Sequence, residues 1–401
     1  MQTNLTRMKV YIAGICSLIV TAGVARFSYT SLLPIMQAEA GLNEVGAGWL
    51  ATVNYAGYLT GVLIVACLNN LSHKFVLYRL YLVLAVLTTA AMALTTNLYL
   101  WSLLRYVSGI GTSAGFILAS GLILKWLVSQ GKRGELGIHF SGIGLSIFFA
   151  AFLVEVLLRA SVGWQGQWLY LSLMAVFFAV PAWIWMPNPN KIVSTHANHQ
   201  VLDRPPSRLF AWIMMAAYFC AGYGYVVSAT FIVDIVEGFS ALAGRGQHVF
   251  IVLGLAATPA VLVWDLVARK WGYLKALLLA YGLQIVGIML PAVSDNLLVI
   301  GVGAILFGAT FVACVSLVLT MAGQFYPSNP AKFMGKMTLA YGSAQIIAPM
   351  FTGLLASWFG SYALSLYLSG GVMLLGVGLV GVLIRLDAQE LEGRRILAAN
   401  A

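Results

Sequence analysis

Two arginines stand where long apolar runs should carry no charge. Arg26 lies in the stretch Gly23-Val24-Ala25-Arg26-Phe27-Ser28-Tyr29-Thr30, and Arg105 opens Arg105-Tyr106-Val107-Ser108-Gly109-Ile110-Gly111. A cationic side chain at the centre of a bilayer costs at least ~2.5–3.5 kcal/mol even on lenient insertion scales, so it survives where it faces protein or a water-filled cavity. Arg26 is therefore read as lining a polar path. At helical spacing Arg26, Tyr29, Thr30 and Leu33 share one face. Glu155 is expected to pair with one arginine, because a buried charge without a partner is worse than a buried pair. The other arginine is then free to meet an anionic group on a substrate; a purely structural Arg–Glu network is the alternative.

Further polar groups fall inside other apolar runs. Asn54 and Tyr58 share a helical face; Tyr218, Gly222 and Tyr225 share another, with Tyr223 and Ser228 beside it; Tyr341, Gln345 and Pro349 lie in a third run. A buried tyrosine offers an apolar ring and a hydroxyl, and a buried glutamine costs free energy unless bonded. The expected substrate-binding set is Arg26, Tyr29, Asn54, Tyr58, Arg105, Tyr223, Tyr225, Ser228, Tyr341 and Gln345. Glu155, Asp234 and His139 form the candidate coupling or charge network. Core packing competes for each tyrosine, capping or pairing with Arg245 for Asp234, and a place near the inner interface for His139.

These residues are carried by an unusually apolar chain: 401 residues, 61% hydrophobic and 8% charged, against about 25% charged in a soluble domain. A bilayer span needs ~20 apolar residues. Twelve runs qualify, at roughly 9–36, 44–69, 74–95, 98–129, 135–160, 164–186, 209–237, 246–267, 272–293, 296–323, 331–358 and 361–385. Residues 187–208 are polar and proline-bearing. They divide the chain into an N-terminal six-helix bundle (1–186), a cytoplasmic linker (187–208) and a C-terminal six-helix bundle with a short tail (209–401). The halves align weakly at an offset near 200: Arg26–Thr30 against Val226–Thr230, and Gly142 against Gly342. A duplicated unit of this kind places its binding site between the halves, near the midplane. The N-terminal run reaches Met36, too long for a signal peptide, and is kept as an uncleaved span.

The net charge of +10 comes from lysines and arginines scattered singly in short loops, concentrated on one side. That is the positive-inside pattern; it puts both termini in the cytoplasm and argues against nucleic-acid binding. Cys16, Cys67, Cys220 and Cys314 sit far apart in apolar runs, with no CxxC, and neither H-E-x-x-H nor a Walker A sequence occurs. No metal, cofactor, enzyme chemistry or ATP-driven cycle is expected, and a sensor would need an output domain.

Twelve spans, the split after six, and R-x-x-x-G-x-G at the start of the fourth span resemble the major facilitator superfamily. The resemblance implies an all-α membrane protein whose twelve transmembrane helices form two pseudo-symmetric six-helix bundles. The superfamily's inner-loop motif is eroded at Leu68–Lys74, which has no acid. A partial copy stands at Asp265, Arg269, Lys270, Gly272 and Lys275, with Asp265 and Arg269 implied as a cytoplasmic gate. The fifth run has glycines but no proline from Gly137 to Ser146, unlike a standard drug/proton antiporter. Gly23–Gln37 and Gly222–Phe231 are similar to the YbfB/YjiJ-like branch of bacterial transporters, a branch that implies no agreed substrate. The combined expectation is a monomeric secondary transporter of the bacterial inner membrane, working by alternating access on a small, anionic or zwitterionic organic solute, with a proton as candidate coupling ion. Efflux of amphipathic compounds is the runner-up.

Overall fold

The computed structural model describes residues 6–130, 136–191, 203, 205–326 and 330–399; side chains are described for these except 191, 330–332 and 390–399. Most of the expected linker, 187–208, therefore lies outside the described residues. Twelve helices are long and apolar enough to cross a membrane: α1 (Arg7–Ala40), α2 (Glu44–Cys67), α3 (Leu71–Leu94), α4 (Leu98–Ser129), α5 (Gly137–Arg159), α6 (Trp164–Trp185), α7 (Arg208–Glu237), α8 (Gly246–Trp271), α9 (Tyr273–Val293), α10 (Leu297–Phe325), α11 (Phe333–Phe359) and α12 (Ala363–Gln389). Their bounds follow the hydropathy to within a few residues.

Local chemistry starts and stops these helices. Asn43, Asn70, Asn97 and Asn296 cap α2, α3, α4 and α10, each side-chain oxygen accepting a backbone N–H of the first turn. Such caps satisfy donors that the helix cannot. Gly41 ends α1 in a left-handed conformation, and Gly272 links α8 to α9 at φ +86°, a backbone that disfavours any side chain. The even number of antiparallel spans brings Arg7 and Gln389 to one end. Lys9, Lys74, Lys125, Arg269, Lys275 and Arg385 sit toward that end, called here the basic end.

Helices α1 and α7 are buried along most of their length and form the centre of the molecule. Helix α6 is peripheral and leaves Leu173, Phe177 and Val180 exposed. An apolar surface of that kind suits acyl chains rather than water. Glycines set the helix spacing. A Cβ at Gly109 would overlap the Asn54 carbonyl on α2, one at Gly57 the Tyr106 carbonyl on α4, and one at Gly115 the Thr21 hydroxyl on α1. The glycines after Arg105 are thus packing faces, as small residues are in lipid, where close van der Waals approach replaces the hydrophobic drive.

Between the halves, α5 packs on α8, α2 on α11 and α1 on α7. Gly48 of α2 meets Pro349 and Gly353 of α11, and Gly144 of α5 meets Gly254 and Thr258 of α8, at backbone contact. The repeat offset reappears at this interface. Thr30 of α1 donates to the Ala229 carbonyl of α7 at 2.9 Å, and its counterpart Thr230 of α7 bonds the Tyr55 hydroxyl of α2 at 3.2 Å. Gly142 and Gly342 are less alike: the first faces Ile15 of α1, the second Leu59 of α2. Two further bonds join the halves, Gln247 Nε2 to the Ser31 carbonyl (2.8 Å) and Thr52 Oγ1 to the Ile346 carbonyl (3.0 Å). All four lie from the middle of the helices toward the end opposite the basic one, so the molecule is sealed there.

Gly48→Leu cannot keep the backbone contact with Gly353 and should open this seal. A reporter cysteine at buried Ala51, in a background without the four native cysteines, is expected to react several-fold faster with an impermeant maleimide supplied at the sealed end when Gly48→Leu is present.

Candidate functional site

The two arginines meet just below the seal, and the helix that brings them there is not a uniform α-helix. Residues Ile19–Phe27 of α1 and Ala114–Ala119 of α4 form π-turns, which widen the backbone ladder and are frequent at functional sites. At the end of the first, the Ala25 carbonyl accepts from two α4 side chains, Arg105 Nη1 at 3.0 Å and Ser108 Oγ at 2.7 Å. The Arg105 guanidinium also lies 4.5 Å from the centre of the Tyr29 ring, whose hydroxyl donates to the Ala47 carbonyl at 2.9 Å. Asn54 Nδ2 donates to the Arg105 carbonyl at 2.8 Å, across the contact that Gly57 and Gly109 permit. Helices α1, α2 and α4 are thereby tied together around one charge.

Arg26 is held differently. Its guanidinium lies 4.1 Å from the centre of the Tyr55 ring, 5.5 Å from Tyr58, 5.7 Å from Phe27 and 5.8 Å from Tyr225 of the other half. Desolvated cation–π contacts contribute up to about 2 kcal/mol each, and the Tyr55 side chain also forms a hydrogen bond with the guanidinium. Arg26 Nε and Nη2 and Arg105 Nε are buried with no hydrogen-bond partner, as is Asn54 Oδ1. Neither arginine forms an ion pair among the described residues. Both line one cavity with Tyr29, Asn54, Tyr55 and Thr230, of about 10 Å³, room for roughly a single water. The open path expected at Arg26 is therefore closed around it in this conformation. On the α7 side the rings continue as a wall: Tyr225 stacks on Phe311 at 5.2 Å and on Tyr341 at 5.9 Å, and Tyr341 on Tyr218 at 4.5 Å.

Of the residues expected from sequence, Arg26, Tyr29, Asn54 and Arg105 line the cavity, Tyr58 and Tyr225 flank Arg26, and Tyr341 extends the stack. Tyr223 does not join them. Two residues along a helix are a turn of about 200°, so it projects away from Tyr225. Ser228 and Gln345 are buried on α7 and α11, and Ser228 Oγ and Gln345 Oε1 have no partner. The cavity also holds Tyr55 and Thr230, which were not singled out as site residues. The spacing Ala51, Tyr55, Tyr58 would have found Tyr55 on the same face as Tyr58.

The expected pairing of Glu155 with a buried arginine is corrected. Glu155 pairs with neither buried arginine. It accepts from Arg159 Nε at 2.8 Å and faces His248 of α8 at 3.7 Å, because an i,i+4 cation on its own helix is nearer than any charge across the bundle. Asp234 meets Tyr362, whose hydroxyl donates to its Oδ2 at 2.5 Å, and the Gln37 side chain, rather than Arg245. His139 is not at an interface with water: it is fully buried, its Nε2 is 3.2 Å from the Gly115 carbonyl, and its ring fills the space left by Gly14. It serves packing of α1, α4 and α5, and no charged partner stands beside it among the described residues. Asp265 and Arg269 form a 2.7 Å ion pair within α8.

Twelve candidate spans in two bundles, with two buried arginines in a cavity that also touches the second half, make a membrane protein of the major facilitator fold. Two structures of the nucleoside transporter NupG share that fold at TM-scores of 0.72 (a point mutant, 10% identity, covering 94% of this chain and 99% of the other) and 0.70 (11% identity, covering 95% and 99%). The chain belongs to the family described as "Uncharacterised MFS-type transporter YbfB", which matches residues 18–381. Among curated relatives it is 22% identical over 253 residues to NiaP of Bacillus subtilis (strain 168), named for niacin/nicotinamide transport, covering 60% of this chain and 62% of that protein. The chain thus spans under two thirds of NiaP. It is 21% identical over 376 residues to the gentisate transporter of Corynebacterium glutamicum, covering 90% and 84%. By its family it is a multi-pass membrane transporter, not an enzyme.

Arg105→Lys keeps the charge but loses the flat group that lies on Tyr29 while bonding Ala25. We expect it to lower stability by about 1–3 kcal/mol, seen as a lower Tm of the detergent-purified protein, whereas Tyr223→Phe should leave the Tm within error.

Proposed function

We propose that the protein is a secondary transporter that moves a small organic anion, an aromatic carboxylate, across the bacterial inner membrane by alternating access. The observation that carries this reading is the pair of buried arginines at the contact between the halves, with three unpartnered nitrogens and no acid lining their cavity among the described residues. A carboxylate would complete them through charge-assisted bonds, which a rigid guanidinium fork matches in two places at once. The ring wall of Tyr225, Phe311 and Tyr341 beside Arg26 suits a flat apolar body next to that carboxylate. Niacin and gentisate, for which the two curated relatives are named, are both aromatic carboxylates, and this supports the same choice.

The cycle follows from one seal and one candidate gate. The basic end is taken as cytoplasmic, by the positive-inside rule, with both termini there, the division between bundles at 187–208 and a monomer as the working unit. In the conformation described, the outer side is closed by Thr30, Thr52, Thr230 and Gln247. Substrate seated on Arg26 would touch both halves, since Tyr225 belongs to the second. Rocking the halves about it would then transfer access from one side to the other. Asp265 and Arg269 remain the candidate inner gate. Asp234 is the acid assigned to proton coupling: it lies at the outer end, bonded to Gln37 of α1 and next to Tyr362 before α12, so its protonation state would bear on outer closure.

In proteoliposomes, counterflow of labelled benzoate-class or nicotinate-class acids is expected for the wild type. Arg26→Ala should reduce it at least tenfold and Arg26→Lys less. Efflux of amphipathic cations independent of Arg26 would replace this reading by the drug-efflux one. An imposed pH gradient should drive accumulation in the wild type and fail to do so in Asp234→Asn; wild-type transport indifferent to the gradient would leave facilitated diffusion.

A further inference from the structure

A second guanidinium site lies outside the transport path, on the rim of the N-terminal half. Arg79 of α3 is held flat between two rings, its Cζ 4.6 Å from the centre of Phe75 and 4.5 Å from that of Trp183 on α6. Phe75 is one turn nearer the basic end, so the charge is drawn toward that end, as long cationic side chains are near a membrane surface. Its Nη2 makes a long hydrogen bond to the Trp183 carbonyl at 3.5 Å; Nε is buried with no partner, and no acid pairs with it among the described residues. The transport mechanism makes no use of it.

The charge opens into a groove of about 550 Å³ between α3 and α6. The groove is polar at one end and apolar at the other. Ser72, Asn188 and Asn190 close the end beyond Arg79, with the Ser72 hydroxyl donating to Asn190 Oδ1. Val76, Leu80 and Val83 line the remainder, and all three are exposed. From Ser72 to Val83 is eleven residues, about 16 Å along a helix, close to half of a ~30 Å hydrocarbon core. The groove is therefore about one leaflet deep, and its cation reaches back from within it toward the polar end. A tryptophan beside it is the residue that favours the headgroup level.

We propose that this groove seats an anionic phospholipid of the basic-end leaflet, its phosphate on Arg79 beside Val76 and one acyl chain running deeper along Leu80 and Val83. A phosphate supplies an acceptor for the unpartnered Nε, and the chain covers side chains that no other described residue covers. A soluble anion would satisfy only the first need and a neutral lipid only the second. A lipid bridging α3 and α6 would brace the outer face of the N-terminal half while the other half moves.

The test uses the full-length protein in detergent and in nanodiscs. Native mass spectrometry should show phosphatidylglycerol retained in preference to phosphatidylcholine, and Arg79→Gln should lose that retention at least fivefold. Arg26→Ala, outside the groove, should keep it. Phosphatidylglycerol brominated on its acyl chains should quench wild-type fluorescence more than that of Trp183→Phe, and more than brominated phosphatidylcholine does. If Arg79→Gln fails to fold, Leu80→Trp serves instead: it leaves the charge and fills the apolar part, and it should displace the lipid. Equal retention of both lipids, undiminished retention in Arg79→Gln or Leu80→Trp, or thermal stabilisation by inorganic phosphate alone equal to that by phosphatidylglycerol would each overturn the assignment, the last in favour of a free-anion site.

Discussion

Two positive charges are kept at membrane depth with no negative one paired to them among the described residues. That single constraint organises the centre of this protein. An arginine pair buried against carboxylates would be electrically complete and would have no reason to admit an anion. Here the compensation comes instead from ring faces and one backbone carbonyl. Both lower the cost of burial while leaving N–H groups of these two cavity-lining residues without a partner. The ring faces also stay apolar, so the same groups that stabilise the charge make a surface on which a flat organic body can rest.

The backbone is adjusted to make this possible. A regular α1 would use its carbonyls within the helix. The π-turns across Ile19–Phe27 loosen that ladder, and the Ala25 carbonyl is shared by Arg105 and Ser108. Glycines do the complementary work: Gly57 and Gly109 let α2 and α4 touch, which puts Asn54 on the Arg105 carbonyl, and Gly48, Gly353, Gly144 and Gly254 let the two halves close. Small residues at these crossings give interfaces with few interlocking side chains. Two bundles joined in that way can part and rejoin with little repacking, which is what alternating access asks of them.

The polar contacts between the halves are few and modest. They are hydroxyls and amides reaching backbone carbonyls, the Thr230–Tyr55 hydroxyl pair, Asp234 on Gln37, and the Glu155–His248 pair at the rim. Each contributes roughly 1 kcal/mol net, enough in sum to favour one closure without locking it. A network of buried ion pairs would have resisted opening by far more, because separating them would strand charges in hydrocarbon. The displaced position of Glu155, away from the arginines, is consistent with a site that must change shape.

The chain itself determined the class of molecule. Hydropathy sets the twelve spans, since each must satisfy its backbone inside a bilayer, and charge asymmetry sets an orientation to test. The R-x-x-x-G-x-G motif also carried its own physics, because an arginine in a span demands company and a glycine on a helix face demands a close neighbour. Only the tertiary structure decided which company. Helical periodicity places Arg26 and Tyr29 on one face, yet the fold gives Tyr29 to Arg105 and puts Arg26 among Tyr55, Tyr58 and Tyr225 from three-dimensional neighbours in two other helices. Glu155 went to the i,i+4 cation on its own helix, and Tyr223 turned away from Tyr225. Spacing along one helix fixes which side chains share a face. Which helix that face meets, at what depth and in what rotation, is a property of packing between segments far apart in the chain, and it is there that the two arginines acquired a common cavity.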